Sequence, residues 1–204
     1  MRELIRSALA PFGFAPSAEV TEAIRQYVEL LQRWNKRISL TSIEDTREIL
    51  QRHFGESFFA VRAVHILEGR LADVGSGAGF PGLPIKMASP DADVTLIESN
   101  TRKAAFLSEV IRTLGLTRVS VVNKRMEEVE GLEDALDFVG ARAVGETDAL
   151  LRWSSSSLRA SGKIVLWLSA RDALEVSRSP RWIWRSPIPI PASESRVLLV
   201  GEKN

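Results

Sequence analysis

The sequence predicts an α/β fold, a mostly parallel seven-stranded sheet with helices on both faces. From Arg70 onwards, short apolar runs typical of strands alternate with stretches of helical period, as in a parallel sheet with crossover helices. The residues before Arg70 have helical period only. The prolines of SPIPIP near the end keep that segment out of the centre of a sheet. We therefore expect a helical extension over residues 1–68, packed on a core over residues 69–204 whose last strands are antiparallel.

The N-terminal extension is predicted to be helical from its apolar spacing. Apolar residues recur there every three or four positions in two stretches, as on one face of a helix. The stretches are Ile24, Tyr27, Leu31 and Trp34, and then Leu50, Phe54, Phe58 and Val61. Pro16 and Ser17 precede the first stretch and are a start signal. His53 falls on the second stripe, which favours a core histidine over an RNA contact.

The strands of the core are predicted at six apolar runs and one edge segment. The runs are 71–74, 93–98, 119–122, 136–139, 163–168 and 196–201, and the edge segment contains Trp182 and Trp184. The clearest helix lies between the second and third runs. It is capped by Asn100 and ended by Gly115.

Composition excludes several chemistries. The chain has no cysteine and two histidines, so disulfides, thiolate metal sites and cysteine nucleophiles are ruled out. Lys and Arg number 27 against 26 Asp and Glu, but the charges are segregated, with a basic stretch over 101–125 followed by an acidic one over 126–137. No apolar run approaches the ~20 residues of a membrane span. We expect a soluble, cytoplasmic protein without a metal.

The strongest local signal is the glycine-rich segment DVGSGAGFPG, which begins at Asp73 and follows the first predicted strand. Gly75, Gly77 and Gly79 permit a tight turn and the close approach of a ligand to the backbone. In open α/β sheets, ligands bind beyond the carboxyl ends of the strands. The segment is therefore the predicted cofactor site.

An acidic residue, Glu98, ends the second predicted strand about 20 residues beyond the glycines, where an acid can accept hydrogen bonds from ribose hydroxyls. NAD and S-adenosylmethionine sites share this arrangement. Asp73 suits a ligand ammonium group better than a pyrophosphate, and Pro81 and Pro84 remove amide donors that a pyrophosphate needs. These features favour S-adenosylmethionine, while an NAD(P)-dependent dehydrogenase stays an alternative.

Two further positions are candidates from their place after predicted strands. Met126 and Glu127 follow the third strand, where an apolar side chain and an acceptor can contact an adenine. Arg142 follows the fourth strand, where methyltransferases of this plan place the target base. We predict a positioning role for Arg142.

The residues available limit the methyl acceptor. Methylation of C5 of a pyrimidine needs a cysteine nucleophile, which is absent. The segment GARAVGE lacks the Asn/Asp-Pro-Pro-aromatic turn used for exocyclic amines, and the lysines that could serve a ribose hydroxyl are scarce. N7 of a purine carries an in-plane lone pair and no proton, so its methylation needs alignment and no general base.

Together these segments resemble a known family, the bacterial small-subunit ribosomal RNA guanine-N7 methyltransferases, also called glucose-inhibited division protein B. The resemblance covers nearly the whole chain. Its segments are YVELLQRWNKRISLTS (27–42), RHFGES (52–57), DVGSGAGFPGLPIK (73–86), LIESNTRKAAFL (96–107), RMEE (125–128) and ARAV (141–144). The glycine segment alone is common to many methyltransferases, whereas its combination with WNK…LTS is much more specific.

The resemblance implies a Rossmann-like class I methyltransferase that uses S-adenosylmethionine to methylate guanine N7 in 16S ribosomal RNA, free or in the small subunit. Position by position, Gly75 and Phe80 would contact the cofactor, Met126 and Glu127 its adenine end, and Arg142 the cofactor or base.

The sequence departs from the family pattern at three places: Ser39 replaces Asn, Glu56 replaces Asp, and Leu168-Ser169 replaces Lys-Gly. The last change keeps open a catalytically weakened RNA-binding paralogue, and a small-molecule methyltransferase is a further alternative.

The RNA contacts are predicted at two basic pairs that flank the expected cleft, Lys36 with Arg37 and Arg102 with Lys103. We expect a monomer.

Overall fold

The computed structural model describes residues 1–143 and 145–203, which form one sheet with helices on both faces. The strands are β1 (Glu68–Val74), β2 (Asp91–Ile97), β3 (Val119–Val122), β4 (Leu136–Arg142), β5 (Leu158–Ser169), β6 (Trp182–Trp184), β7 (Ile188–Pro189) and β8 (Arg196–Lys203). The main helices are α1 (Arg2–Leu9), α2 (Ala18–Asn35), α3 (Thr46–Ile49), α4 (Glu56–Val64), α5 (Gly82–Ala88), α6 (Thr101–Leu114), α7 (Thr147–Ser157) and α8 (Ala170–Val176).

The strand order is β3-β2-β1-β4-β5-β8-β6, and the short β7 pairs with β8 beside this path. The first five strands in this order are parallel, while β8 is antiparallel to β5 and to β6. The predicted mostly parallel sheet with antiparallel additions is therefore confirmed. The order reverses between β1 and β4, and ligands of such sheets bind at this switch point.

Two apolar cores cover the two faces of the sheet. Neighbouring strand residues alternate between them, as Leu71 and Ala72 of β1 do. One core contains the N-terminal helices with α5 and α6, and the other contains α7 and α8. The N-terminal helices are thus continuous with the core of the sheet.

The predicted helical features are present, with local differences. Ser17 caps α2 by accepting the amide of Val20, and Asn100 caps α6, which ends at the left-handed Gly115. The second stripe is interrupted by a π-helical turn over Leu50–Gly55 between α3 and α4, yet its apolar members stay buried.

β3 matches its predicted run, and the strands at the other five runs are longer than predicted. β5 begins at Leu158, which pairs with Leu136 before a register shift in β4. At the other edge, Trp182 and Trp184 lie with ring centroids 5.7 Å apart. Trp182 is buried, so it packs in the core. Among residues 1–143 and 145–203, no helix is long and apolar enough to cross a membrane.

Candidate functional site

The glycine-rich segment forms a tight loop between β1 and α5. Gly75, Gly77 and Gly79 have φ of 69°, 55° and 86°, the left-handed region where glycine is favoured. A Cβ at Gly79 would lie 2.2 Å from the hydroxyl oxygen of Tyr27. Glycine at this position is therefore required by both backbone conformation and space.

The loop is held by the end of β2 and by α2. The carbonyl oxygen of Ile97 accepts the amides of Gly75 and Ser76 at 2.9 and 3.1 Å. The hydroxyl of Tyr27 donates to the carbonyl oxygen of Ala78 at 2.6 Å. These contacts give the loop one conformation before any ligand binds, which lowers the ordering cost of binding.

Glu98 lies directly beyond the end of β2 and its carboxylate faces the loop. One oxygen accepts the amide of Gly77 at 2.8 Å and the other accepts the amide of Asn100 at 2.7 Å. A carboxylate has about four acceptor positions, so both oxygens can still accept hydroxyl donors from a ligand. Glu98 thus both fixes the loop and presents an acceptor beside it.

A cavity of about 330 Å³ lies between the loop and the turn after β3. We call it the glycine-loop cavity. Its lining residues are Val74, Gly75, Ile97, Ser99, Lys124, Arg125, Met126, Glu127, Gly145 and Glu146. The volume lies in the range of small-molecule sites, and the lining combines three apolar side chains with four charged ones and a serine. The structure thus brings the predicted Gly75, Met126 and Glu127 together.

Asp73 is enclosed beneath the loop, with an exposed fraction of 0%. Its Oδ2 accepts the amide of Gly82 at 2.9 Å, while Oδ1 is buried without a partner among the described residues. Burial raises the pKa of this carboxyl to about 7. In this structure Asp73 supports the loop, and its contact with a ligand ammonium group stays a prediction.

Phe80 points away from the glycine-loop cavity and into the aromatic core. Its ring stacks on the imidazole of His53 and on the ring of Tyr27, with centroid distances of 4.6 and 5.2 Å. The side chain therefore joins the loop to the N-terminal helices. The cofactor contact that the resemblance implies for Phe80 is untested.

Arg142 ends β4 and lines a second cavity, of about 800 Å³. We call it the arginine cavity. Its charged and hydroxyl lining residues are Thr41, Ser42, Arg52, His53, Glu56, Arg142, Thr147, Ser169, Asp172, Ser195 and Arg196. Arg142 donates to the carbonyl oxygen of Arg52 at 2.6 Å and to Nδ1 of His53. Its guanidinium is thus directed toward the N-terminal helices.

The orientation of Arg142 depends on hydrogen bonds that begin at Asn35. The side chain of Asn35 accepts the amides of Leu40 and Thr41 and donates to the carbonyl oxygen of Thr41. Thr41 Oγ1 then lies 2.8 Å from Nε2 of His53. These contacts give the WNK…LTS and Arg-His motifs a structural role, because they fix the residues around Arg142.

The tautomer of His53 follows from its partners. Arginine only donates, so Nδ1 of His53 accepts and Nε2 carries the proton, which it donates to Thr41. Burial, with the charges of Arg142 and Arg52, lowers the pKa of His53 to about 2. The imidazole is therefore neutral, and the predicted core histidine is buried in the wall of the cavity.

The basic pairs predicted for RNA lie on two different elements. Arg102 is exposed and Lys103 half-buried in the first turn of α6, shortly after Ser99 of the glycine-loop cavity. Lys36 and Arg37 are exposed at the end of α2. The structure does not bring Lys36 or Arg37 to either named cavity.

Sequence reasoning missed the convergence of Arg52, Glu56 and Arg196 on the arginine cavity. Arg196 follows an unpatterned serine-rich tail, and nothing local indicates its partner. Val144, the last residue of the ARAV motif, lies outside the described residues. Within the described part of the chain, no three His, Asp or Glu side chains gather as a metal site requires.

The strand order, the glycine loop after β1 and the acid after β2 define the class, a Rossmann-like methyltransferase. The fold is similar to that of a solved S-adenosylmethionine-dependent methyltransferase from Aquifex aeolicus, with TM-score 0.67 and 14% identity over 81% of this chain and 97% of that one. It is also similar to TYW2 of Pyrococcus horikoshii in complex with MeSAdo, with TM-score 0.61 and 18% identity over 81% and 67% of the two chains.

The family follows from sequence. The chain belongs to the GidB family, rRNA small subunit methyltransferase G, whose model matches residues 20–184. It is 37% identical to ribosomal RNA small subunit methyltransferase G of Roseiflexus castenholzii, over 98% of this chain and 90% of that protein. It is 38% identical to the protein of the same name from Xylella fastidiosa, over 81% and 78% of the two chains. The resemblance stated from the motifs is confirmed.

Proposed function

We propose that this chain transfers the methyl group of S-adenosylmethionine to N7 of a guanine in 16S ribosomal RNA. The observation that carries the proposal is the glycine loop joined to the Glu98 carboxylate, in a chain of the rRNA small subunit methyltransferase G family. The cavity beside the loop has the size of a small-molecule site.

The residues present fit the cofactor. Glu98 would accept the ribose hydroxyls, since its two oxygens retain acceptor capacity beside the loop. Met126 is buried and would cover the adenine, with Glu127 at its exocyclic amine. Gly75, Gly77 and Gly79 would let the backbone approach the ligand, and Asp73 and Phe80 would support the loop.

Methylation of guanine N7 needs only groups that orient the base, and the polar groups of this site can do that. When bound, S-adenosylmethionine supplies a methyl group on a positively charged sulfur. N7 loses no proton on methylation, so the chain needs no general base, and the neutral His53 is consistent with a site that only orients. Arg142, fixed by His53 and by the carbonyl oxygen of Arg52, is the proposed positioning residue on the base side.

The RNA would lie along Arg102 and Lys103, near the glycine-loop cavity, and reach Lys36 and Arg37 at the end of α2. Leu168 and Ser169, which replace the family's Lys-Gly, line the arginine cavity. Ser169 caps α8 by accepting the amide of Asp172. We further propose that the chain acts as a monomer in the cytoplasm, where its RNA substrate is made.

The proposal is tested by incubating the purified chain with methyl-labelled S-adenosylmethionine and either deproteinised 16S ribosomal RNA or small ribosomal subunits. We expect label at one guanine, mapped by cleavage at the N7-methylated base. Calorimetric titration with S-adenosylmethionine and with NAD separates the cofactor assignment from the dehydrogenase. Cofactor binding without any RNA labelling would contradict the acceptor assignment, and binding of NAD alone would contradict the class.

A further inference from the structure

We propose that the arginine cavity is a binding site for one phosphodiester group of the RNA strand. This inference rests on the proposed function for the identity of the strand. It assigns Arg52 and Arg196 to substrate binding, together with Arg142, and it gives Glu56 a positioning role. The occupant is defined by its chemistry, a singly charged anion with several acceptor oxygens.

The charge at the inner end of the cavity supports an anion. Glu56 is 2% exposed and is the only carboxylate that pairs with two arginines among the described residues. Its Oε1 accepts from Arg196, and its Oε2 lies 3.9 Å from Nη1 of Arg142. Two guanidinium groups therefore share one carboxylate, and the other acidic residue of the lining, Asp172, is exposed to solvent. The shared carboxylate leaves one positive charge among half-buried side chains. A phosphodiester carries the single negative charge that would compensate it.

The donors around the cavity suit phosphate geometry. Arginine presents a planar set of donors that matches phosphate oxygens. The side chains of Arg142 and Arg196 are 17% and 22% exposed, so both are pre-ordered yet reachable. Nε of Arg52 is buried without a partner among the described residues. The hydroxyls of Ser169 and Ser195 add donors along the wall.

The position of the cavity connects it to the reaction. Arg142 and Ala143 line the arginine cavity, and Gly145 and Glu146 line the glycine-loop cavity. The two cavities therefore border the same segment after β4. A phosphate held in one would place the base of the same or the adjoining nucleotide next to the other. The role of the anion site is thus to orient the acceptor.

Glu56 acts through the arginines. Glu56 holds both guanidinium groups at the wall of the cavity, and Arg142 is fixed further by His53 and the carbonyl oxygen of Arg52. An anion then binds without reordering two long side chains, which reduces the cost of binding.

The test compares Arg196→Gln with Arg185→Gln. Each arginine pairs with a glutamate, Arg196 with Glu56 and Arg185 with Glu202. Arg196 begins β8, whereas Arg185 follows β6 and reaches Glu202 near the other end of β8. For Arg196→Gln we expect a KM for RNA about tenfold higher, an unchanged dissociation constant for S-adenosylmethionine, and a salt dependence of RNA binding weaker by about 0.7 in log–log slope. Arg185→Gln should match the unchanged protein. Equal KM and slope in both variants would overturn the anion site.

A second measurement does not depend on methylation. Inorganic phosphate, compared with chloride at equal ionic strength, should raise the unfolding temperature of the unchanged protein and of Arg185→Gln but not of Arg196→Gln. Equal shifts in all three proteins, or none, would refute the site. If phosphate acts as expected and no RNA is methylated, the proposed function fails and the anion site stands.

Folding of Arg196→Gln is checked by circular dichroism, because the change leaves Glu56 with one partner fewer. Arg52→Gln repeats both measurements at a more exposed side chain, 44% exposed in its pair with Glu48. We expect the same direction of change in KM and in the phosphate effect. The absence of both changes in a folded Arg52→Gln variant would remove Arg52 from the site.

Discussion

The hydroxyl of Tyr27 donates a hydrogen bond of 2.6 Å to the carbonyl oxygen of Ala78. Tyr27 belongs to α2, and Ala78 lies at the centre of the glycine loop. Burial, with the nearby charge of Asp73, raises the pKa of Tyr27 well above its usual value, so the hydroxyl remains a donor at every working pH. The N-terminal helices therefore fix the conformation of the loop as well as covering the sheet.

Tyr27→Phe removes this hydrogen bond and keeps the ring that stacks on Phe80. We expect the free energy of unfolding to fall by about 1 kcal/mol. We also expect weaker binding of S-adenosylmethionine, because the loop loses a restraint. Urea unfolding and calorimetric titration measure the two effects.

Trp34→Phe is the matched control for Tyr27→Phe. It removes the 2.9 Å hydrogen bond from Nε1 of Trp34 to Glu109 of α6. Like the bond of Tyr27, this bond starts on α2, but it does not involve the loop. Stability should fall while cofactor affinity stays the same. Equal loss of affinity in both variants would show that Tyr27 acts only through global stability.

Glu98→Gln tests the ribose contact. In the unchanged protein the carboxylate of Glu98 accepts the amides of Gly77 and Asn100. The glutamine side chain keeps one acceptor oxygen, but its NH₂ group is a donor and would face a backbone amide or the ligand. The affinity for S-adenosylmethionine should fall by about 1.5–3 kcal/mol, the value of bonds to a charged group. Asp93→Asn, near the start of β2 and paired with Arg118, should leave affinity unchanged. Unaltered affinity in Glu98→Gln would exclude the ribose assignment.

How far the sequence predicts the site depends on whether the signal is local. The glycine loop, the cap at Asn100 and the acid after β2 each follow from a few neighbouring residues, and each is present. The meeting of Glu56 with Arg196 joins helix α4 to the start of the last strand, and it needs the whole sheet order. Phe80 shows the same limit. Its place in the loop is predictable, whereas its packing on His53 depends on how the N-terminal helices dock.

The neutral state of His53 predicts a pH effect on stability. Its pKa is about 2 in the folded protein, against 6.5 for an ordinary histidine, so below pH 6.5 only the unfolded chain binds the proton. The contribution of His53 to stability should therefore fall with falling pH, by up to about 1.4 kcal/mol per pH unit. Asp73 acts in the opposite direction, because its raised pKa makes the folded protein bind a proton below about pH 7.

His53→Gln isolates the histidine from Asp73. The difference in unfolding free energy between the unchanged protein and His53→Gln should be constant above pH 7. Below pH 6.5 the unchanged protein should lose stability relative to His53→Gln. Urea unfolding of both at several pH values from 5 to 8 measures it. A difference independent of pH over this range would mean that His53 takes up its proton in the folded state.

Arg102 and Lys103 occupy a place that helix stability disfavours. They lie in the first turn of α6, which has no acidic residue, while the positive end of the helix dipole favours anions there. Reversing both charges, in Arg102→Glu/Lys103→Glu, should therefore raise the unfolding free energy by about 0.5 kcal/mol at low salt. If these side chains contact RNA phosphates, the same variant should bind ribosomal RNA more weakly, with a salt slope smaller by about 1.4.

A higher unfolding free energy together with weaker RNA binding in Arg102→Glu/Lys103→Glu would show that the loss of binding does not come from damage to the fold. Arg2→Glu/Arg6→Glu, on the exposed side of α1, changes the net charge equally and serves as the control for non-specific repulsion. S-adenosylmethionine affinity should be the same in both double variants, since neither pair lines the glycine-loop cavity. Filter binding of ribosomal RNA at several salt concentrations, beside urea unfolding, measures both quantities. RNA affinity reduced equally in the two double variants would assign the effect to net charge and remove Arg102 and Lys103 from the interface.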